Sequence, residues 1–147
     1  MELFEALRTG YLTEGLNDDD VHSLVDLAEF VEYSDLQDIV RAHDVSFDLY
    51  VLIDGAVEVT TENGDIISRL KPGAIIGEFA FFEGGERSAT VMSHGKSRLL
   101  HLNGEKLNQF MDTQPRIGMV LYRNLGRTLC NRLRSANVQI ERLVSSI

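Results

Sequence analysis

Two residues nine positions apart, Glu78 and Arg87, frame the stretch of this chain best suited to do chemistry. Arg87 carries a fixed charge and a flat fork of donors, the side chain best matched to a phosphate. Glu78 would repel a phosphate. It is suited instead to accept hydrogen bonds from sugar hydroxyls. Gly77, just before it, lets the backbone approach a ligand with no Cβ in the way. Phe79-Ala80-Phe81-Phe82 can make one turn of helix, whose first N–H groups lack intrahelical partners and can face an anion. Gly84-Gly85 allows the chain to double back through positive φ. A carboxylate for a ribose, an arginine for a phosphate and bare N–H groups between them describe a nucleotide site.

The flanking sequence has to position these groups. Leu3, Phe4 and Leu7 make a short helical face. Asn17 is a good N-cap for a second helix, with Asp18, Asp19 and Asp20 in its first turn and Val21, Leu24, Val25 and Ala28 at helical spacing. Strand patterns follow from about Glu29. Phe30–Tyr33, Ile39-Val40, Leu49–Ile53, Ala56–Thr61, Ile66–Leu70, Ala74–Ile76, Ala89–Met92 and Ser97–Leu102 are the candidates. Asp54-Gly55, Asn63-Gly64 and Lys71-Pro72-Gly73 supply the turns between them. Many short strands with regular turns predict a sandwich or barrel, mainly β with flanking helices. A helix starts at Gly104, and Pro115 suits the first turn of another running to Ile147. Leu129, Leu133, Ala136, Ile140, Leu143 and Ile147 recur along it at spacings of 4, 3, 4, 3 and 4, a coiled-coil seam.

Gly77–Val91 closely resembles the phosphate-binding cassette of cyclic nucleotide-binding domains, found in the catabolite activator protein family, protein kinase A regulatory subunits and cyclic nucleotide-gated channels. The spacing from Glu78 to Arg87 matches the kinase-subunit form, and the resemblance extends over nearly the whole chain. It implies a jelly-roll-like β-roll over residues 29–103, with N-terminal helices over 1–28 and C-terminal helices over 104–147, all one domain. It implies that Glu78 holds the ribose 2′-hydroxyl and Arg87 the cyclic phosphate, with Gly77, Phe79, Ala80, Ser88 and Ala89 completing the cassette. Arg132, Ala136 and Asn137 match positions near the base, Asn137 being able both to donate and to accept. Arg132 pairs, alternatively, with an acid on a partner chain. Ile67, Ser68 and Phe79 match the barrel side of the base pocket. Val59 lines that pocket too or is plain core. The resemblance also implies a two-fold dimer through the last helix. Family members usually carry glycines in the two turns before the Leu-Tyr strand. Here Leu36 and the run His43-Asp44-Val45-Ser46 stand there, so those turns are expected to be altered in shape.

The remaining features narrow the function. The 147 residues suffice for one compact core, and 44% hydrophobic with 25% charged content is that of an ordinary globular chain. No apolar run approaches a membrane span, and Met1–Glu5 lacks the start of a signal peptide. A single cysteine, Cys130, fits a reducing cytoplasm. A net charge of −9 opposes binding to a phosphate backbone, so DNA binding through the arginines of the last helix is the weakest reading. His22, His43, His94 and His101 are scattered without metal-ligand spacing, and no metal is expected. No nucleophile motif or pair of catalytic carboxylates appears, which points away from an enzyme. The expectation is a cyclic nucleotide sensor, for cAMP rather than cGMP, acting on an effector protein. The alternative is a dimerisation or scaffold module whose pocket is vestigial.

Overall fold

A computed structural model describes residues 1–146. The last position of the expected seam, Ile147, lies outside the described residues. Helices α1 (Leu3–Leu7) and α2 (Asp18–Leu24) open the chain. Asn17 caps α2 reciprocally: its side chain accepts from the Asp20 N–H at 2.8 Å, and the Asp20 carboxylate accepts from the Asn17 N–H. The helical path ends in a 3-10 turn at Val25–Leu27. Ala28, expected on the helix, instead opens strand β1 (Ala28–Tyr33).

Strands β2 (Asp38–Val40), β3 (Leu49–Thr60), β4 (Ile66–Leu70), β5 (Ile75–Ile76) and β6 (Thr90–Leu102) complete one antiparallel sheet. A short helix α3 (Glu78–Glu83) interrupts them, and α4 (Gly104–Thr113) and α5 (Pro115–Ser145) follow. β3 and β6 pair with each other along their length, from Leu49↔Leu102 to Thr60↔Thr90. Each has different neighbours at its two ends. β5 and β4 flank β3, while β1 and β2 flank β6. A sheet whose two central strands change partners midway must bend, and the outcome is a β-roll.

The bend corrects one expectation. Asp54-Gly55 is not a turn between two strands but a bulge inside β3, where the register with β6 slips on both sides of Asp54. Ser93–Gly95 is likewise crossed by a continuous β6. Four expected strands are therefore two long ones. Their apolar runs are buried on both faces. Leu49, Val51, Ile53, Leu100 and Leu102 pack with the helices, whereas Leu52, Val57, Val91 and Leu99 face the interior of the roll. Alternation with period two explains both clusters.

Each of the two early turns holds a residue in the left-handed backbone conformation that glycine adopts without strain. Leu36 sits at φ +62° and His43 at φ +73°. For a side chain with a Cβ this conformation costs about 1–2 kcal/mol. Leu36 is 65% exposed, so its packing offsets little of that. Leu36→Gly should therefore stabilise the protein by about 0.5–1 kcal/mol, the relief of strain exceeding the extra chain entropy of glycine. Urea unfolding of the two proteins measures this, and a lower midpoint for the glycine variant would refute the strain.

Candidate functional site

β5 runs beside β3 and delivers Gly77 to the start of α3. Gly77 has φ +97°, and a Cβ there would lie 2.5 Å from Arg87 Nη1 and 2.6 Å from the Asp48 carbonyl oxygen. Its missing side chain thus makes room for Arg87, a more specific reason for glycine than ligand approach alone.

Arg87 lies beyond the Gly84-Gly85 turn and is pinned through its backbone. Its N–H donates to the Asp44 carbonyl at 2.8 Å, and its carbonyl accepts from the His43 N–H at 3.0 Å. Its guanidinium donates to the carbonyls of Gly77 (3.2 Å) and Asp48 (2.9 Å) and to the Ser46 hydroxyl (3.3 Å). All these acceptors are neutral. The Asp48 carboxylate is engaged elsewhere, accepting the Gly104 N–H at the start of α4 and facing His101 Nε2 at 2.7 Å. Arg87 is only 4% exposed, and burial pulls its pKa below the ordinary arginine value. A buried charge held by neutral oxygens retains a strong demand for an anion.

Glu78, in the first turn of α3, is fully buried. Its Oε1 accepts from the Arg132 guanidinium on α5, which also donates to the Ile75 carbonyl. Within this chain, Arg132 already has an acidic partner. Burial lowers the pKa of Arg132 as well. Among the described residues, the buried side-chain nitrogen and oxygen atoms without a hydrogen-bond partner include Glu78 Oε2 and Arg87 Nε. Unpaired buried polar atoms are costly and call for a missing partner.

Both side chains line one cavity of about 280 Å³, together with Gly77, Ala80, Ser88 and Ala89. A second cavity of about 690 Å³ lies between the roll and α5. Val59, Ile67, Phe79 and Arg132 line both, while Ser68 and Ala136 line only the larger. The expected cassette and base-side positions are thus brought together, with one exception. Asn137 lines neither cavity and stands exposed on α5. One residue further along a helix turns about 100° away, so the face towards the roll is carried by Asn131, Arg132, Ser135 and Ala136. Asn131 and Ser135 escaped the sequence reading, although their spacing of four marks a shared face. Tyr11, from the loop between α1 and α2, lines the larger cavity too, and nothing in its local sequence signals this. Ser46 and the Asp48 carbonyl, partners of Arg87, were also missed. Among the described residues, no group of three or more His, Cys, Asp or Glu side chains could hold a metal ion, and no helix is long and apolar enough to cross a membrane.

A family model described as the cyclic nucleotide-binding domain matches residues 30–114, more than half of the chain. The chain belongs to this family. Among curated relatives, a cAMP-dependent protein kinase regulatory subunit of Dictyostelium discoideum is 33% identical over 110 residues, covering 70% of this chain and 33% of that protein. Glutaminase 1 of Bradyrhizobium diazoefficiens is 30% identical over 135 residues, 92% of this chain but 22% of that protein. The chain thus spans between about a fifth and a third of the length of these two relatives. A solved cyclic nucleotide-binding domain from Methylobacillus flagellatus superposes with a TM-score of 0.84 at 22% identity, covering 95% of this chain and 83% of that one. The β-roll with its long terminal helix is the fold of that domain.

The Glu78–Arg132 pair generates a stability prediction. Arg132→Ala leaves a fully buried carboxylate without its charge partner and should cost about 2–3 kcal/mol. That is less than an enclosed pair, because Arg132 keeps contact with water. Adding Glu78→Gln should recover much of the loss. Urea melts of parent, single variants and double variant measure the coupling, and additive losses would show that the pair is not formed.

Proposed function

We propose that this domain is a sensor of a purine cyclic nucleotide, cAMP in preference to cGMP, and not an enzyme. The observation that carries the reading is the pairing of two unsatisfied buried atoms, Glu78 Oε2 and Arg87 Nε, on side chains that line one small cavity. A ribose hydroxyl suits the first as donor, and an anionic phosphate oxygen suits the second as acceptor. The donor set therefore fits the ligand of this family. Phe79 and Ile67 would border the base, with Ser68, Asn131 and Ser135 offering hydrogen bonds at its edge. The preference for cAMP rests on kinase regulatory relatives whose names specify it.

Glu78 has a second oxygen free while Arg132 holds the first. A ribose bound there would join the cassette to α5 without displacing Arg132. Binding would then favour the arrangement in which α5 is drawn to the roll, and that difference between two states is what makes a switch. We further propose that α5 pairs with its counterpart in a second copy. Leu133, Ile140 and Leu143 are 63%, 56% and 68% exposed at heptad spacing, an apolar stripe with no partner among the described residues. Ala136 belongs to both the stripe and the larger cavity, which would couple ligand to dimer geometry. In this reading the domain is cytoplasmic and acts on an effector protein, and the acidic chain itself does not bind DNA.

Calorimetric titration with cAMP, cGMP and AMP tests the reading. Micromolar or tighter binding of a cyclic nucleotide, with AMP excluded and with cAMP favoured, is expected. Arg87→Ala should abolish most of the affinity. No heat with any of the three would leave the scaffold alternative. For the seam, Leu133→Asp or Ile140→Asp should shift a dimer towards monomer in sedimentation velocity. An unchanged distribution would place the contact elsewhere.

A further inference from the structure

His43 holds a backbone conformation that a residue with a Cβ adopts only at a cost, φ +73°. It does so beside the element that delivers Arg87. Its N–H donates to the Arg87 carbonyl at 3.0 Å, and the next residue, Asp44, accepts the Arg87 N–H at 2.8 Å. Val45 bridges Glu86 in the same small ladder. The ring adds two contacts from separate segments. Nδ1 faces the Glu86 carboxylate at 2.9 Å, and Nε2 faces the Glu62 carboxylate from the loop between β3 and β4. Both ring nitrogens meet acceptors that cannot donate. Only the imidazolium donates from both.

We propose that His43 is a positioning residue for Arg87: as an imidazolium it clasps Glu86 and Glu62, holds the Gly84–Arg87 turn against the β2–β3 loop, and so makes cyclic nucleotide affinity depend on pH. This rests on the functional reading above. The groups facing the ring are Glu86 from the cassette and Glu62 from the β3–β4 loop. Asp44 and Arg41 flank it in its own loop, and Arg41 pairs with Asp38 at 3.0 Å. The bond to Glu86, then that to Glu62, raises the His43 pKa above the ordinary 6.5. The charged clasp is therefore complete below 6.5 and is lost as pH rises through the raised value. The cyclic phosphate is a diester and keeps its single charge throughout, so the ligand contributes no slope of its own.

The strained turn supplies a discriminating variant. His43→Gly removes the clasp while relieving the strain, so it should fold at least as well as the parent. Affinity for cAMP is measured by calorimetry at about pH 6 and about pH 8.5, either side of the histidine range. The parent should weaken by about threefold at the higher pH, the scale of exposed charge pairs, and His43→Gly should not show that step. His101 also lies between two carboxylates, Glu29 and Asp48, so the His43 contribution is the difference between the two proteins. An identical pH step in both would overturn the clasp while leaving the nucleotide site standing. A second readout needs no ligand. Protection of the Arg87 amide against hydrogen exchange, corrected for intrinsic rate, should fall through the titration of the His43 ring seen by NMR. It should also be reduced at pH 6 in Glu86→Gln. Protection independent of both would refute the proposal even if no nucleotide bound.

Discussion

The Arg87 guanidinium gives up nearly all its water and receives only neutral oxygens in return, from Gly77, Ser46 and Asp48. Removing a charge from water without an opposite charge is among the costliest arrangements in a protein interior. Several features of the chain follow from tolerating it. Gly77 has no Cβ because one would occupy the space of the guanidinium. The β2–β3 loop bonds both sides of the Arg87 peptide and accepts strain at His43 to reach it. Asp48, the nearby carboxylate, is turned away to the start of α4. No carboxylate is hydrogen-bonded to the guanidinium, and the Asp48 charge acts on it only from a distance.

The roll brings this arginine and Glu78 to one cavity. The loop before β3 supplies Asp48, and β5 pairs with β3 to deliver Gly77 and Glu78. β6 leads away from Arg87 and returns along β3 to the base of α4. The bulge at Asp54-Gly55 lets β3 take part in both ends of the roll. Its two buried faces then tie the helices to the cassette, so that α5 meets Glu78 through Arg132. The small cavity and the terminal helix share one carboxylate.

Much of this was legible in the chain itself. The cassette shows through because glycine, carboxylate and arginine each answer a distinct chemical need at fixed spacing. The strands show through because their alternation is strong. Asp54-Gly55 misleads, since a residue pair that favours positive φ serves a turn or a bulge equally, and pairing with distant β6 decides. Leu36 and His43 carry no local signal for their backbone, for tertiary contacts hold them in a conformation their side chains disfavour. Asn137 fails by one residue on a helix, where the rotation per residue exceeds what matching of a short motif can fix. Tyr11, Ser46 and the Asp48 carbonyl carry no local mark at all. Their positions come from loops closed by contacts far along the chain.

The central claim is that the open Nε–H of Arg87 awaits an anion. Proton–nitrogen NMR of arginine side chains addresses it directly, with the resonance assigned by Arg87→Lys. On addition of cAMP the Arg87 Nε–H signal should shift downfield and exchange more slowly with water, while AMP leaves it unmoved. A signal unchanged by cAMP at saturating binding would contradict the account, because the nucleotide would then be bound somewhere that does not use this arginine.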